Sequence, residues 1–455
     1  MPVARLCRTR PPAGLEFARS ASRLLARLCV FVVALAAVAG CTPRIAREDA
    51  PPRGPRPVAD GVVLLISIDG LPAGLLGTGA MPTLDAIAAD GARAAWMTPS
   101  YPTLTFPNHY TLVTGLRPDR HGIVHNNMTD ATLGRYVSKE DSAKDGRWWG
   151  GEPIWATLQK QGGIAATMFW PGSEVRIAGE EPRYRRAFDM RVPPEERADQ
   201  ILAWLDLPPK RRPQLLTLYF EQYDVASHLD GARSERAMNA LRRIDDAIAR
   251  VRDGLRDRGL LTRSDLIVVS DHGMADVPRD QRIWLEDVLD PALYETEWWG
   301  TMLGLRPNPG QRDTVERVFL GAHPHFDCWT REALPAAWRY GTNPRIPPIV
   351  CQVHTGWRVQ SRRHYVYDQP VKGEHGFAME DPTMRAVFVA AGPGFCRGAQ
   401  LPAFDNVDLY PLLARLLRVT PAPNDGNDAT FATALRASTA SARDSKTDCA
   451  PATLR

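Results

Sequence analysis

The segment VVLLISID, residues 62–69, is apolar at nearly every position and ends on an acid. A run without polar alternation does not suit a strand that is wet on one face; it suits one buried on both faces of a parallel sheet. Similar runs recur at Leu215–Phe220, Leu266–Ser270 and Ala386–Ala391. Between the second and third, Ala237, Met238, Leu241, Ile244, Ile248, Val251 and Leu255 fall three or four apart, with Arg and Asp on the other face. That spacing predicts an amphipathic helix. A last helix is expected over Leu409–Leu417. Strands alternating with helices imply an α/β domain with a largely parallel central sheet and helices on both faces.

The strand ends carry the polar residues. Asp69 closes the first run, Asp224 closely follows the second, and Asp271-His272 close the third. In open α/β sheets the ligand crevice lies at the carboxyl ends of the strands, so these acids and imidazoles are expected on one rim. Asp224 and His228 are four apart and would share one face of a helical turn. Asp271 and His272 are consecutive and serve one site only if the backbone turns, which Gly273 permits. His375 lies between glycines in GEHG. Each alone has an ordinary reading: a turn residue for Asp69, a structural histidine for His375. Together, three Asp and three His form two sets of oxygen and nitrogen donors suited to Zn²⁺ or Mn²⁺. The remaining histidines of the second half, His323, His325, His354 and His364, lack this setting and read as surface or packing residues.

Thr105 precedes Phe106-Pro107 and an apolar stretch, and a proline in the first turn marks a helix N-terminus. Threonine is a good N-cap, which is the plain reading. A hydroxyl there also faces the unpaired N–H groups and positive dipole end of the helix, where an alkoxide or a phosphoryl oxygen is stabilised. A neutral threonine is a poor nucleophile and needs a base or a metal beside it.

The first forty residues read as an export leader. Arg5, Arg8, Arg10, Arg19, Arg23 and Arg27 precede an apolar run, Leu28–Ala39, too short to span a bilayer. The run ends Val38-Ala39-Gly40-Cys41, which resembles a bacterial lipobox with Cys41 as the lipidated residue. These arginines account for the formal charge of +4, so the rest of the chain is close to neutral and offers no basic field for nucleic acid. At 44% hydrophobic with 12 Trp the chain is neither disordered nor fibrous. Residues 41–60 form a Pro-rich spacer, and a catalytic domain is expected over 61–435. A lid or capping insertion is expected within it at about 282–367, and a flexible tail at 436–455. Cys328, Cys351, Cys396 and Cys449 allow two disulfides in three connectivities. No C-x-x-C pair exists, which argues against a thiolate zinc site.

Seven strings occur in order: ISIDG, PTLTFPNHYTLVTGLRPDRHGIVHNN, WWGGEPIW, FWPGSE, D-x-x-x-H, VVSDHGM and GEHGF. On these the chain, from about Val62 to Asn427, resembles the nucleotide pyrophosphatase/phosphodiesterase family of the alkaline phosphatase superfamily, most of all its bacterial, xanthomonad-type members. The resemblance implies an alkaline-phosphatase-like fold and two Zn²⁺ per chain. One would be held by Asp224, His228 and His375, the other by Asp69, Thr105, Asp271 and His272. It further implies Thr105 as the covalent nucleophile, Asn126 as the hydrogen-bond partner of a phosphate oxygen, helped by a backbone N–H near Phe106, and Phe106 and Tyr219 as the aromatic pair around a nucleobase. The implied activity is a zinc-dependent phosphodiesterase and nucleotide pyrophosphatase that yields nucleoside 5′-monophosphates through a phosphothreonine. Its partners would be a nucleotide or nucleotide-ester substrate and, through Cys41, a membrane; no nucleic-acid partner is expected, and the location is the periplasm or cell envelope. Two rival readings are a phospholipase C-like enzyme acting on choline lysolipids, with Trp298 and Trp299 caging the quaternary ammonium, and a non-catalytic surface lipoprotein.

Overall fold

The computed structural model describes residues 61–363 and 371–436, all within the compact unit Arg53–Arg455. The expected leader, Cys41, the Pro-rich spacer, His364, Cys449 and all but the first residue of the tail lie outside them. No described helix is long and apolar enough to cross a membrane.

In chain order the elements that build the site are β1 (Val62–Ile68), α1 (Pro82–Asp90), β2 (Ala92–Ala94), α2 (Thr105–Thr114), α3 (Ile154–Lys160), β3 (Ala165–Met168), β4 (Tyr184–Arg186), α4 (Pro194–Leu205), β5 (Leu215–Phe220), α5 (Gln222–Asp230), α6 (Glu235–Asp257) and β6 (Ser264–Val269). There follow β7 (Tyr294–Trp298), β8 (Met302–Pro307), β9 (Gly321–Ala322), β10 (Phe326–Thr330), β11 (Ile349–Val353), β12 (Phe388–Ala391), β13 (Ala399–Leu401) and α7 (Leu409–Leu417).

Eight strands form the central sheet in the order β13-β2-β12-β6-β1-β5-β3-β4. Only β12 runs against its neighbours. The uninterrupted apolar runs fall at the centre, where both faces are covered. Val62, Leu64, Ile66 and Ile68 of β1 pack into one core with α1, α4 and α6, and Val63 and Leu65 pack into the other with α2, α3 and α7. Each such side chain contributes about 1.5–3 kcal/mol on burial. A one-residue slip of β1 would exchange the two sets, so the register is fixed: Ser67 lies opposite Tyr219 on β5 and Val269 on β6.

The long helix α6 buries Leu241, Ile244, Ile248, Val251 and Leu255, and Ser234 caps its start by accepting from the Ala237 amide at 3.1 Å. Asp245, in the middle of its buried face, accepts from the amides of Thr83 and Leu84 at 2.9 and 3.0 Å, satisfying two of the unpaired donors that begin α1. Burial raises the Asp245 carboxyl above its usual range, while those amides pull it back.

Residues 294–353 build a separate five-stranded sheet in the order β7-β8-β11-β10-β9, antiparallel throughout. Weak periodicity hid it: β7 and β8 are out of register between Thr296 and Trp298, and β9 has two residues. Cys328 and Cys351, directly opposed on β10 and β11, form a disulfide. Cys396 is disulfide-bonded as well.

Candidate active site

The carboxyl ends of β1, β5 and β6 converge with the start of α2 on one rim. Asp69 follows β1 and is 2% exposed; its amide donates to the Phe220 carbonyl at 2.9 Å, tying the end of β1 to the end of β5. The turn is possible because Gly70 adopts φ +71°, and a Cβ there would lie 3.0 Å from Asp224 Oδ1. The Gly70 amide donates to Asp271 Oδ1 at 3.1 Å. Asp271 and His272 both turn inward after β6. Gly273 serves this bend by close approach and not by an unusual φ: a Cβ there would stand 1.9 Å from the Thr383 carbonyl oxygen.

The six ligand candidates gather into two groups, Asp69, Asp271 and His272, and Asp224, His228 and His375. His272 Nε2 lies 2.9 Å from Asp271 Oδ2 and 3.6 Å from Asp69 Oδ1. His228 Nε2 lies 3.4 Å from Asp224 Oδ2, and His375 Nε2 lies 3.7 Å from Asp224 Oδ1. The groups meet where the rings of His272 and His375 stack, centroids 3.7 Å apart.

Hydrogen bonding fixes how these histidines face. The Nδ1 atoms of His228, His375 and His272 bond the carbonyls of Gly373, Thr103 and Gly273 at 2.8, 3.0 and 2.9 Å. A carbonyl only accepts, so each Nδ1 carries the hydrogen, and a neutral ring in that tautomer points an Nε2 lone pair toward the carboxylates. Asp69 Oδ1 and Asp224 Oδ1 are buried without a hydrogen-bond donor, and the buried Asp271 Oδ2 lies 3.2 Å from His109 Nδ1 and 2.9 Å from His272 Nε2. Lone pairs facing lone pairs in a dry site are satisfied by a cation, and this donor set fits divalent metal ions. Burial pushes the Asp69 carboxyl well above its usual range, and the Asp271 and Asp224 carboxylates push the same way. Burial also lifts Asp271, but His272 and His109 outweigh it and the carboxyl ends well below its usual range.

Thr105 is the first residue of α2, its Oγ1 3.3 Å from His272 Nε2. It is not an N-cap; Leu104 holds that position, and no side chain caps the helix. Asn126 accepts from the Phe106 amide at 3.0 Å, so its side chain and that N–H occupy one flank of Thr105. The smaller sheet supports the His375 loop: the Thr301 hydroxyl donates to the His375 carbonyl at 2.7 Å, and Gln352 Nε2 donates to the Gly376 carbonyl at 3.1 Å. Arg358 pairs with Glu374 at 2.9 Å, and Glu374 lies 3.5 Å from His228 Nδ1.

Tyr219, expected as one of the aromatic pair around a base, sits against the acid that follows β1. It is 7% exposed, and its hydroxyl donates to Asp69 Oδ2. The exposed ring beside it is Phe188, 42% exposed, with its centroid 6.0 Å from that of Tyr219. Phe106 remains half-buried, tilted against Trp149 at 6.3 Å. Trp298, one half of the expected ammonium cage, is 1% exposed and stacked on His125.

A family model, type I phosphodiesterase / nucleotide pyrophosphatase, matches residues 63–378. The chain belongs to this family. Among curated relatives, the venom phosphodiesterase CdcPDE of Crotalus durissus collilineatus is 35% identical over 379 residues, which is 80% of this chain and 45% of that protein. Ectonucleotide pyrophosphatase/phosphodiesterase family member 3 of Bos taurus is 35% identical over 375 residues, 80% of this chain and 43% of that protein. The chain thus spans less than half the length of these phosphodiesterases. Among solved structures, murine ectonucleotide pyrophosphatase / phosphodiesterase 5, an inactive form in complex with AMP, superposes with a TM-score of 0.78 at 31% identity, covering 82% of this chain and all of that one. The fold of this type I phosphodiesterase family member is accordingly alkaline-phosphatase-like. These relatives are eukaryotic and lend no support to the expected bacterial affinity.

Proposed function

We propose that the chain is a zinc-dependent phosphodiesterase and nucleotide pyrophosphatase that releases nucleoside 5′-monophosphates through a phosphothreonine on Thr105. The observation that carries this reading is the Thr105 hydroxyl within 3.3 Å of a histidine belonging to one of two adjoining acid–imidazole groups. Asp224, His228 and His375 would hold one ion, and Asp69, Asp271, His272 and the Thr105 oxygen the other. Bound there, two ions supply the positive charge that ionises the hydroxyl and steadies the departing oxygen.

The chain's own residues do the rest. Thr105 Oγ1 forms a bond to phosphorus as the bond to the leaving oxygen breaks, and that oxygen takes a proton from water. A water oxygen then attacks phosphorus, the bond to Oγ1 breaks, and Thr105 recovers a proton. The Asn126 amide N–H and the Phe106 N–H, which leaves Asn126 Oδ1 for the substrate, hold a non-bridging oxygen at the positive end of α2 through both steps. Phe106 and Phe188 offer aromatic faces to a base, a contact worth about 1–3 kcal/mol. The AMP named with the inactive murine relative agrees with a nucleoside monophosphate product.

The domain reading stays part of the proposal: a leader over 1–40 with Cys41 lipidated, a spacer over 41–60, a catalytic domain over 61–435 with a capping insertion at about 282–367, and a tail over 436–455. It gives a periplasmic or cell-envelope enzyme, and venom and ecto-enzyme names among the relatives agree with export. Burial of Trp298 disfavours the choline reading. Turnover of p-nitrophenyl thymidine monophosphate against p-nitrophenylphosphorylcholine tests it: the nucleotide ester is expected to be far the better substrate, and the reverse order would remove the nucleotide assignment.

A further inference from the structure

His109 belongs to the string that contains Thr105, yet no step above uses it. It lies one helical turn beyond Thr105 on α2 and is wholly buried. Both its ring nitrogens are nevertheless engaged. Nδ1 stands 2.9 Å from the Thr105 carbonyl oxygen and 3.2 Å from Asp271 Oδ2. The carbonyl only accepts, so Nδ1 carries the hydrogen, and Nε2 is left to accept from the Ser67 hydroxyl at 2.8 Å. Ser67 is itself fully buried and lies on β1, two residues before Asp69. One imidazole therefore touches the first turn of α2, the acid that follows β6, and the last part of β1, the three elements that deliver Thr105, Asp271 and Asp69.

The ring is held in place as well. Trp170 and Tyr219 meet it edge-on, at 5.2 and 5.0 Å between centroids, and Trp170 Nε1 donates to the His109 carbonyl at 3.1 Å. Asp271 Oδ1 is tied to the Gly70 amide, so the orientation of Oδ2, the oxygen that faces His272, depends on what stands beside it. That neighbour is the His109 N–H.

We propose that His109 is a positioning residue: held in the Nδ1–H tautomer by the Thr105 carbonyl and anchored at Nε2 by the Ser67 hydroxyl, it sets the orientation of Asp271 Oδ2 and its spacing from Thr105. The inference rests on reading Asp69, Asp271 and His272 as a metal-binding group. It places His109 outside substrate contact, acting only through its neighbours. Loss of such an outer partner costs roughly 10–100-fold in metal affinity in comparable sites.

The test uses the full chain, stripped of metal and titrated with Zn²⁺ against a chromophoric chelator. His109→Phe keeps an aromatic ring and removes both nitrogens; Zn²⁺ binding at one of the two sites should fall by about 10–100-fold while the other is little changed. For p-nitrophenyl thymidine monophosphate kcat should drop with KM little changed. His109→Asn places an amide N–H near the position of Nδ1 and should restore most of the affinity. Ser67→Ala, which removes the anchor on Nε2 and lets the ring shift, should weaken Zn²⁺ several-fold. Wild-type affinity in a folded His109→Phe chain would overturn the inference, and so would equal losses in the Phe and Asn variants, because the N–H would then be irrelevant. If the Phe variant fails to fold, Ser67→Ala decides: unchanged Zn²⁺ affinity overturns the proposal. The titration needs no substrate. A wild-type chain that binds Zn²⁺ tightly but leaves nucleotide esters intact refutes the proposed function and leaves His109 in its role; one that binds no Zn²⁺ refutes both.

Discussion

A threonine hydroxyl in water is almost wholly protonated at neutral pH, so Thr105 depends on its surroundings for any reactivity. Thr105→Ala should lower turnover of nucleotide esters by about 10³-fold or more while leaving bound metal near the wild-type content, measured by elemental analysis of the purified chain. Tyr219→Phe tests the support of Asp69. Without the phenol a buried carboxylate oxygen loses a donor, a charge-assisted bond worth about 1.5–3 kcal/mol, and chelator competition should read roughly tenfold weaker metal binding. A stacking role alone would instead move KM and leave metal affinity untouched. Thr105 and the six acids and histidines could be singled out in the sequence because each stands at a strand end, beside a glycine or at a helix start, or, for His228, one helical turn after Asp224. The duties of Tyr219 and His109 could not: their partners lie 150 and 42 residues away, and nothing local distinguishes an aromatic or a histidine that serves a neighbour from one that fills a core. Phe188 left a fainter signal, a lone aromatic in the polar stretch RRAFDM.

Among the elements, the four apolar runs announced the central strands, and the three-four spacing announced α6 almost to its ends, because each encodes burial on specific faces. Short strands at or next to the sheet's edges, β2, β4 and β13, three residues each, carry too little pattern to be seen. The smaller sheet was hidden by its register shift and its Pro- and Trp-rich sequence, although it carries part of the site. Gln352 on β11 is 4% exposed and donates to the carbonyls of Thr301, Val353 and Gly376, each at 3.1 Å. Gln352→Leu leaves those buried carbonyls short of a donor and unfastens the His375 loop. It should cost about 2–3 kcal/mol by denaturant unfolding and weaken metal binding with it. The start of β6 offers a pH test. Burial raises the Asp265 carboxyl to about 6, with the Gly394 amide pulling the other way. A carboxyl raised in the folded state lends stability below its unfolded value near 4 that is lost as pH rises through 6, here about 1–2 kcal/mol after allowing for partial exposure. Asp265→Asn keeps an oxygen for the Gly394 amide, so thermal melts should show it more stable than wild type at pH 8 and equal to it near pH 4.

At the scale of the whole molecule, the site is a point where separate strands, two helices and a second sheet meet, and buried carboxylates there repel one another until a cation balances them. An ion bound only by the folded chain stabilises it by about 4 kcal/mol at a thousand times its Kd. Stripping with a chelator should therefore lower the melting temperature by on the order of 5 °C, and Zn²⁺ should restore it. The most direct test is the metal count itself, by elemental analysis after equilibration with Zn²⁺ and desalting, on wild type, Asp224→Asn and Asp271→Asn. Two ions are predicted for wild type and one for each variant. A single ion or none in wild type, or an Asn variant that still holds two, would contradict a paired metal centre built around Thr105.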